Sequence, residues 1–448
     1  MSDLVTALEV TGAAAGAGGL GYAKGRAPRV YWSLVGLPVS WARFTFTYRS
    51  TMEACGLTVQ PSGLRAFMTR NMARREVRPI PPKTRRTRPT STGLRVSLRL
   101  PAGLEPADVA AASERLRHAW GVRSVTVREV KPGVVELRMT GYDVLARVRM
   151  PRRWKAPGPM VVPVALREDG SVFVRDYRTV PMALTLGATL SGKSMYQRNL
   201  IKGLAQQSVG LVGIDCKRGV EQSPYAARFS ALATSPDESD DLLQALVREM
   251  EERFDLLSQY GAADLWALPD AIRPVPLVVL VDEVAELFMV AAKKDEERRD
   301  RMVQYLVRLA QMARAIGIYL EICGQRFGSE LGKGATMLRA QLTGRVVHRV
   351  NDLQTAEMGI KDIAPEALQA VTTIPPDRPG VAVAGDTSGG WSRIRTPEVS
   401  QAETVAACHE FAHLTPDLPA LARFRPAVRP EPVPDAVPPL VVPQPVTE

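Results

Sequence analysis

Gly187-Ala188-Thr189-Leu190-Ser191-Gly192-Lys193-Ser194 constrains this 448-residue chain more than any other stretch. It has the spacing G-x-x-x-x-G-K-S, in which two glycines let the backbone curl so that successive N–H groups point inward at phosphate oxygens. Lys193 is placed to neutralise the β- and γ-phosphates and the Ser194 hydroxyl to bind Mg²⁺. The flanks agree. Val180 to Leu186 reads as a buried strand, and Met195 to Gln206 as a helix whose positive N-terminal end faces the anion.

A second motif lies about ninety residues downstream. Pro276-Leu277-Val278-Val279-Leu280-Val281-Asp282-Glu283 is an aliphatic run of strand length ending in two carboxylates. Buried parallel strands read as continuous aliphatic runs, and ligands sit at their carboxyl ends. Asp282 is therefore expected beside the phosphate loop, holding Mg²⁺ through water. Glu283 is expected to orient or deprotonate an attacking water. A core strand followed by an acidic helix start is the bland alternative, and the phosphate loop upstream weighs against it. The two motifs together predict a nucleoside-triphosphatase core.

Charge is spread unevenly. The chain carries a net +11, but residues 1–160 hold 27 Lys/Arg against 10 Asp/Glu, and the remainder 31 against 37. The first part thus has a net charge of +17 and the rest −6. That asymmetry suits a basic region facing an acidic polymer or an anionic membrane, joined to a nearly neutral engine. The four cysteines, Cys55, Cys216, Cys323 and Cys408, show no C-x-x-C pairing and make no zinc pattern with the four histidines. Reduced cysteines and the lack of a cleavable signal fit a cytoplasmic protein.

Along the chain, residues 1–90 read as an N-terminal basic region. Val30 to Tyr48 is aromatic and apolar but broken by Pro38 and Arg43, and is short of the ~20 apolar residues of a membrane span. A membrane-surface helix or a buried helix is expected there. Residues 65–88 hold nine basic residues and one acid, among them Arg74, Arg75 and Lys83 to Arg88. They read either as a solvated linker or as a segment contacting phosphates, of DNA or of lipid headgroups.

Residues 91–145 read as a small α/β subdomain. Leu94, Val96, Leu98 and Leu100 alternate with polar residues, Pro106 to Trp120 is helical, and a hairpin closes at Lys131-Pro132-Gly133. Residues 160–400 form a large α/β domain. Residues 401–448 supply a helix from Gln401 to His413 and a proline-rich tail from 424 onward, expected to be disordered or polyproline.

Further segments point one way. Leu211 to Lys217 is a buried strand ending in D-x-K, and Glu249 to Phe254 opens a helix running to a Gly261 turn. Cys323-Gly324-Gln325-Arg326 follows another aliphatic strand, and Leu342 to Val350 comes after it. In this order and spacing they resemble the motor domain of FtsK/SpoIIIE DNA translocases, with residues 93–141 resembling the small subdomain before that motor. The resemblance covers about 90–390 and is nearest to the actinomycete Tra-type proteins of plasmid and integrative-element transfer.

It implies a RecA-like P-loop core with a mostly parallel sheet, and a homo-hexameric ring around double-stranded DNA with ATP held between subunits. Matching residues would give Gln325 as the γ-phosphate sensor, and Arg345 or Arg349 as the charge reaching a neighbour's nucleotide. Asp215 and Lys217 would order the nucleotide-side loop. Phe327 stands where the family usually has proline, so that loop is expected to differ. Neither a multi-span membrane anchor nor a C-terminal winged helix is evident in the sequence.

A P-loop kinase or GTPase is disfavoured by the Asp282–Glu283 pair and by the lack of an N-K-x-D guanine reader. The remaining alternative is a nucleotide-regulated protein that docks DNA at the membrane without stepping. A peripheral position at the inner face of the plasma membrane suits both readings.

Overall fold

The computed structural model describes residues 27–61, 78–151, 154–290, 293–328, 332, 334–362, 365–386 and 390–428. They fall into two compact units. One takes the chain to Pro151 together with Ala165–Phe173, and the other holds the remainder.

The first unit is built on a four-stranded antiparallel sheet of β1 (Lys83–Pro89), β2 (Gly93–Arg99), β3 (Ser124–Lys131) and β4 (Val134–Thr140), in the order β1-β2-β4-β3. Period-two alternation puts Leu94, Val96 and Leu98 of β2, with Val135, Leu137 and Met139 of β4, on one face. That face is covered by the helices Pro106–Ala111 and Ser113–Trp120 and by Phe44 and Met52 of the helix Leu37–Ala54. Phe44 meets Trp120 edge-on, with ring centroids 5.2 Å apart. The β3–β4 turn has Gly133 at φ +70°, in the region expected from Lys-Pro-Gly.

One feature here departs from the linker reading of residues 65–88. Residues 83–89, read as linker or phosphate-contacting segment, form a paired edge strand, so the described residues draw no line at residue 90. Residues 65–77, with Arg74 and Arg75, lie outside the described residues. The helix expected from Val30 to Tyr48 is present, and Pro38 lies within it. A proline removes an N–H and crowds the carbonyl four residues earlier, and the chain absorbs this with a π-turn over Trp32–Gly36 before Leu37–Ala54. Among the described residues no helix is long and apolar enough to cross a membrane.

The second unit carries most of a ten-stranded sheet. Its strands are β5 (Val161–Arg167), β6 (Val172–Asp176), β7 (Met182–Leu186), β8 (Gly210–Ile214), β9 (Phe229–Ala233), β10 (Leu277–Val281), β11 (Ile318–Gly324), β12 (Gly344–His348), β13 (Val381–Gly385) and β14 (Trp391–Arg395). The order is β6-β5-β14-β13-β12-β7-β11-β10-β8-β9. From β12 to β9 all neighbours are parallel, while β12–β13 and β13–β14 are antiparallel. This is the mostly parallel P-loop core anticipated from the aliphatic runs.

Helices cover the sheet. Lys193–Ala205 follows β7, and Pro236–Tyr260 starts well before Glu249, capped by the Ser235 side chain and closed by Gly261 in the left-handed region. After the helix Gln401–Glu410, the turn Pro419–Phe424 inserts Leu421 and Phe424 into the main core. The proline-rich tail therefore begins later than residue 424, and residues 429–448 lie outside the described residues.

One polar pair sits inside the sheet layer. Arg175 of β6 and Glu321 of β11, both almost fully buried, form an ion pair, with Tyr177 and Tyr196 alongside. Burial raises the Glu321 pKa, and the Arg175 charge only partly offsets it.

Candidate active site

Parallel strands bring their carboxyl ends to one edge, and the site is assembled there. β7 runs into the phosphate loop, β8 into Asp215, β10 into Asp282–Glu283, β11 into Gln325 and β12 into Arg349. The loop strand and the acidic strand are separated by β11, so Gln325 lies between phosphate loop and carboxylates.

The loop is held from several sides. Gly187 N–H donates to the Gly324 carbonyl at 3.2 Å, Ala188 N–H to the Arg349 carbonyl at 2.9 Å, and Gly380 N–H to the Ser191 carbonyl at 2.9 Å. Gly192 has φ +106°, and a Cβ there would lie 2.1 Å from the Gly380 nitrogen, so only glycine fits. A Cβ on Gly187 would meet Ser191 Oγ at 2.5 Å and His348 Cβ at 2.9 Å. Leu190 is also left-handed, at φ +61°, and 87% exposed. A non-glycine residue held in that region is local strain of the kind that gathers at ligand-binding loops.

Across β11 the carboxylates are buried, Asp282 at 2% and Glu283 at 7% exposure. Lys193 Nζ pairs with Glu283 Oε2 at 3.1 Å. Lys217 Nζ stands 3.5 Å from Asp282 Oδ2 and 4.0 Å from Glu283 Oε2. The other Glu283 oxygen accepts the Gln325 main-chain N–H at 3.2 Å. Burial alone would lower the Lys193 pKa, but the field of Glu283, with smaller contributions from Cys323 and Asp282, raises it. Lys193 is thus firmly cationic.

Asp215 behaves as a loop organiser. Its carboxylate accepts N–H groups from Lys217, Glu221 and Gln222 at 2.8–3.1 Å. Lys217 does more than order the loop, because its ammonium reaches the acidic pair; the D-x-K spacing after a buried strand was the signal for it. The Gln325 side chain is exposed at the same edge. Phe327 is fully buried and meets Phe288 edge-on at 6.0 Å, so the loop after β11 is anchored by an aromatic contact.

The two arginines part company. Arg349 donates from Nη2 to the Thr189 carbonyl at 3.2 Å and from Nη1 to Asn351 Oδ1 at 3.4 Å, so it lies on its own phosphate loop. Arg345 sits four residues earlier, about 13 Å back along β12 at ~3.3 Å per residue. It is 3% exposed and donates from Nη2 to the Arg339 carbonyl. Burial lowers its pKa to about 10.

His348, beneath the loop, carried no signal in the sequence. Its Nδ1 lies 3.2 Å from the Val381 carbonyl, which can only accept, so Nδ1 bears the proton and Nε2 is bare. Burial lowers its pKa to about 4.

These groups suit a magnesium–nucleotide. The glycine cradle leaves room for phosphates, and Ser191 Oγ is buried with no hydrogen-bond partner among the described residues. Ser194, in the first helical turn, and Asp282 offer hard oxygen donors of the type Mg²⁺ takes, which usually keeps several waters.

The chain is similar to known proteins along most of its length. Residues 17–141 match the N-terminal domain of actinomycete conjugal transfer proteins, and residues 144–329 match the FtsK/SpoIIIE family. The chain is 57% identical over 401 residues to the transfer protein TraSA of Streptomyces ambofaciens, covering 87% of this chain and 96% of that one. It is 32% identical over 215 residues to the DNA translocase FtsK of Tropheryma whipplei, covering 44% of this chain and 28% of that protein. Among solved structures, the monomer form of the pCW3 conjugation coupling protein TcpA with ATPγS shares the fold, at 18% identity and a TM-score of 0.52. That match covers 72% of this chain and 90% of the other.

Proposed function

This chain belongs to the FtsK/SpoIIIE family, and on that premise we propose that it is an ATP-driven double-stranded DNA translocase moving plasmid or integrative-element DNA between cells. The observation that carries the reading is the convergence of Lys193 and Glu283 at 3.1 Å across β11, with Lys217 beside them. A phosphate-neutralising cation and a buried carboxylate at one strand edge are the minimum for phosphoryl transfer to water.

The residues divide the work. Main-chain N–H groups of Thr189, Leu190 and Gly192 to Ser194 bind the phosphates, and Lys193 turns from Glu283 towards them. That movement releases Glu283 to accept the proton of an attacking water, with the Gln325 N–H holding its second oxygen. Ser194 and Asp282 would hold Mg²⁺, which when bound spreads positive charge over the β- and γ-phosphates. The exposed Gln325 side chain is placed to sense the γ-phosphate. Arg349 is the better placed of the two arginines to answer a nucleotide, because Arg345 is buried towards the other end of its strand.

A homo-hexameric ring with duplex DNA in its centre, and nucleotide between subunits, would convert each hydrolysis into a change of subunit contacts. Loops in such a pore hold phosphates without reading bases. An anionic membrane surface is the second partner of this reading.

The test is ATP turnover with and without long duplex DNA. A translocase raises its turnover strongly with duplex length, and rings are visible by electron microscopy. Slow turnover indifferent to DNA would instead identify a docking switch that couples DNA to the membrane without stepping.

A further inference from the structure

Alternation gives the small antiparallel sheet a second face with a very different chemistry. With Leu94, Val96 and Leu98 inside, Arg95, Ser97 and Arg99 project from the opposite side of β2. Cross-strand register fixes their neighbours. Arg88, Arg95 and Arg138 form one row across β1, β2 and β4. Arg86, Ser97, Glu136 and Arg128 form the next, and Lys83 stands beside Arg99 in a third.

The rows are about 7 Å apart along the strands, and the strands about 4.8 Å apart. Lys83, Arg86, Arg88, Arg99 and Arg128 are exposed. Glu136, the acid within these rows, is already engaged by Arg138 at 2.8 Å, and Arg138 also bonds Asp169 at 2.8 Å.

We propose that this sheet face is a docking platform for the sugar–phosphate backbone of duplex DNA, separate from the nucleotide-binding unit. The inference rests on the translocase reading and adds a contact site to it. Duplex DNA presents a charge every ~1.7 Å of axis, so a rigid basic face spanning about 14 Å meets several phosphates at once. Such contacts position the duplex without reading its sequence.

Lipid headgroups are the competing anion, and the distribution of apolar groups weighs against them. Interfacial membrane binding combines basic with inserted apolar side chains. The exposed groups in these rows are Lys and Arg, with Ser97 between them. The exposed apolar side chains Leu34, Val39 and Phe46 belong instead to the helical run that packs over the sheet's other face.

The test uses the full chain with Lys83→Gln, Arg86→Gln, Arg88→Gln and Arg99→Gln combined, and a random-sequence duplex as probe. Binding is measured by anisotropy across a salt series. The log–log salt slope is expected to flatten by about 0.9 per lost contact, about 3.6 for four. ATP turnover without DNA should be unchanged, and the duplex concentration for half-maximal stimulation should rise. A charge-preserving variant, with Lys83→Arg, Arg86→Lys, Arg88→Lys and Arg99→Lys, should keep the wild-type slope.

An unchanged slope in the neutralised variant, with stimulation intact, overturns the platform alone. So does loss of binding to phosphatidylserine vesicles with duplex binding preserved, or an equal loss in the charge-preserving variant. A wild-type chain that neither binds duplex nor responds to it would overturn the translocase reading, and the platform with it.

Discussion

Lys193 and Glu283, ninety positions apart in sequence, meet at 3.1 Å across the strand between them. Each compensates the other's burial, since an isolated charge in such a place is costly. Nucleotide phosphates would take over the Lys193 ammonium and leave Glu283 as the basic group, with Lys217 as its remaining cation. Ligand entry would therefore switch partners within one charge cluster.

Lys193→Ala should abolish hydrolysis and weaken nucleotide binding, since the phosphates lose their counter-charge. Glu283→Gln keeps the shape and removes the base, so ATP should still bind while turnover falls by about 10²- to 10⁴-fold. Nucleotide binding by fluorescence and single-turnover hydrolysis separate the two. Wild-type turnover in Glu283→Gln would remove the glutamate from the catalytic role.

Arg349→Ala should leave ATP binding intact and suppress turnover. If the guanidinium serves a neighbour's nucleotide, mixing this variant with Lys193→Ala subunits should restore activity at interfaces pairing an intact loop with an intact arginine. Its hydrogen bond to Thr189 of the same chain gives the opposite outcome a clear meaning. No rescue in rings shown to be mixed would assign it to its own phosphate loop. Arg345→Ala, by contrast, should lower thermal stability, because its buried side chain ties β12 to the Arg339 carbonyl.

Where chemistry demanded a local pattern, the sequence was readable. The phosphate loop needs two glycines and a Lys-Ser, and a buried parallel strand needs an aliphatic run, so β7, β10 and the residues after them could be placed. Glu321 was not legible, because a single glutamate within Ile-Tyr-Leu-Glu-Ile-Cys becomes a core residue only through Arg175 on a distant strand. The same holds for Gly380, which stands at φ +83° with the Thr396 carbonyl 3.0 Å from where a Cβ would sit. Residues 83–89 looked like linker because basic side chains and a proline hide strand propensity. Only pairing with β2 reveals an edge strand. Long-range partners are what local patterns omit.

His348 predicts a pH dependence of stability. Its folded pKa is about 4, below the 6.5 of a free histidine, because burial disfavours the imidazolium. Between these values the unfolded chain binds a proton that the folded chain refuses, so stability is full above about pH 6.5 and falls as pH drops towards 4. From pH 7 to pH 5 the loss from this one group is about 2 kcal/mol. Urea melts of wild type and His348→Gln at the two pH values test it, and the variant should lose less on acidification. Equal losses would mean that another group sets the slope.

The N-terminal helical run makes the last prediction. Its outer face exposes Leu34 at 72% and Phe46 at 87%, with Val30, Val39 and Trp41 nearby, while Trp32, Phe44 and Met52 are buried. Exposed apolar side chains beside Arg43 and Arg49 suit a helix lying in the headgroup layer of an anionic membrane. Burying each large apolar side chain contributes on the order of 1.5 kcal/mol, about tenfold in partitioning. Leu34→Ser with Phe46→Ser should therefore weaken binding to phosphatidylserine vesicles by about a hundredfold in a flotation assay. ATP turnover should stay unchanged, because these residues lie in the other unit. Undiminished vesicle binding would take the membrane away from this face and leave it to a protein partner.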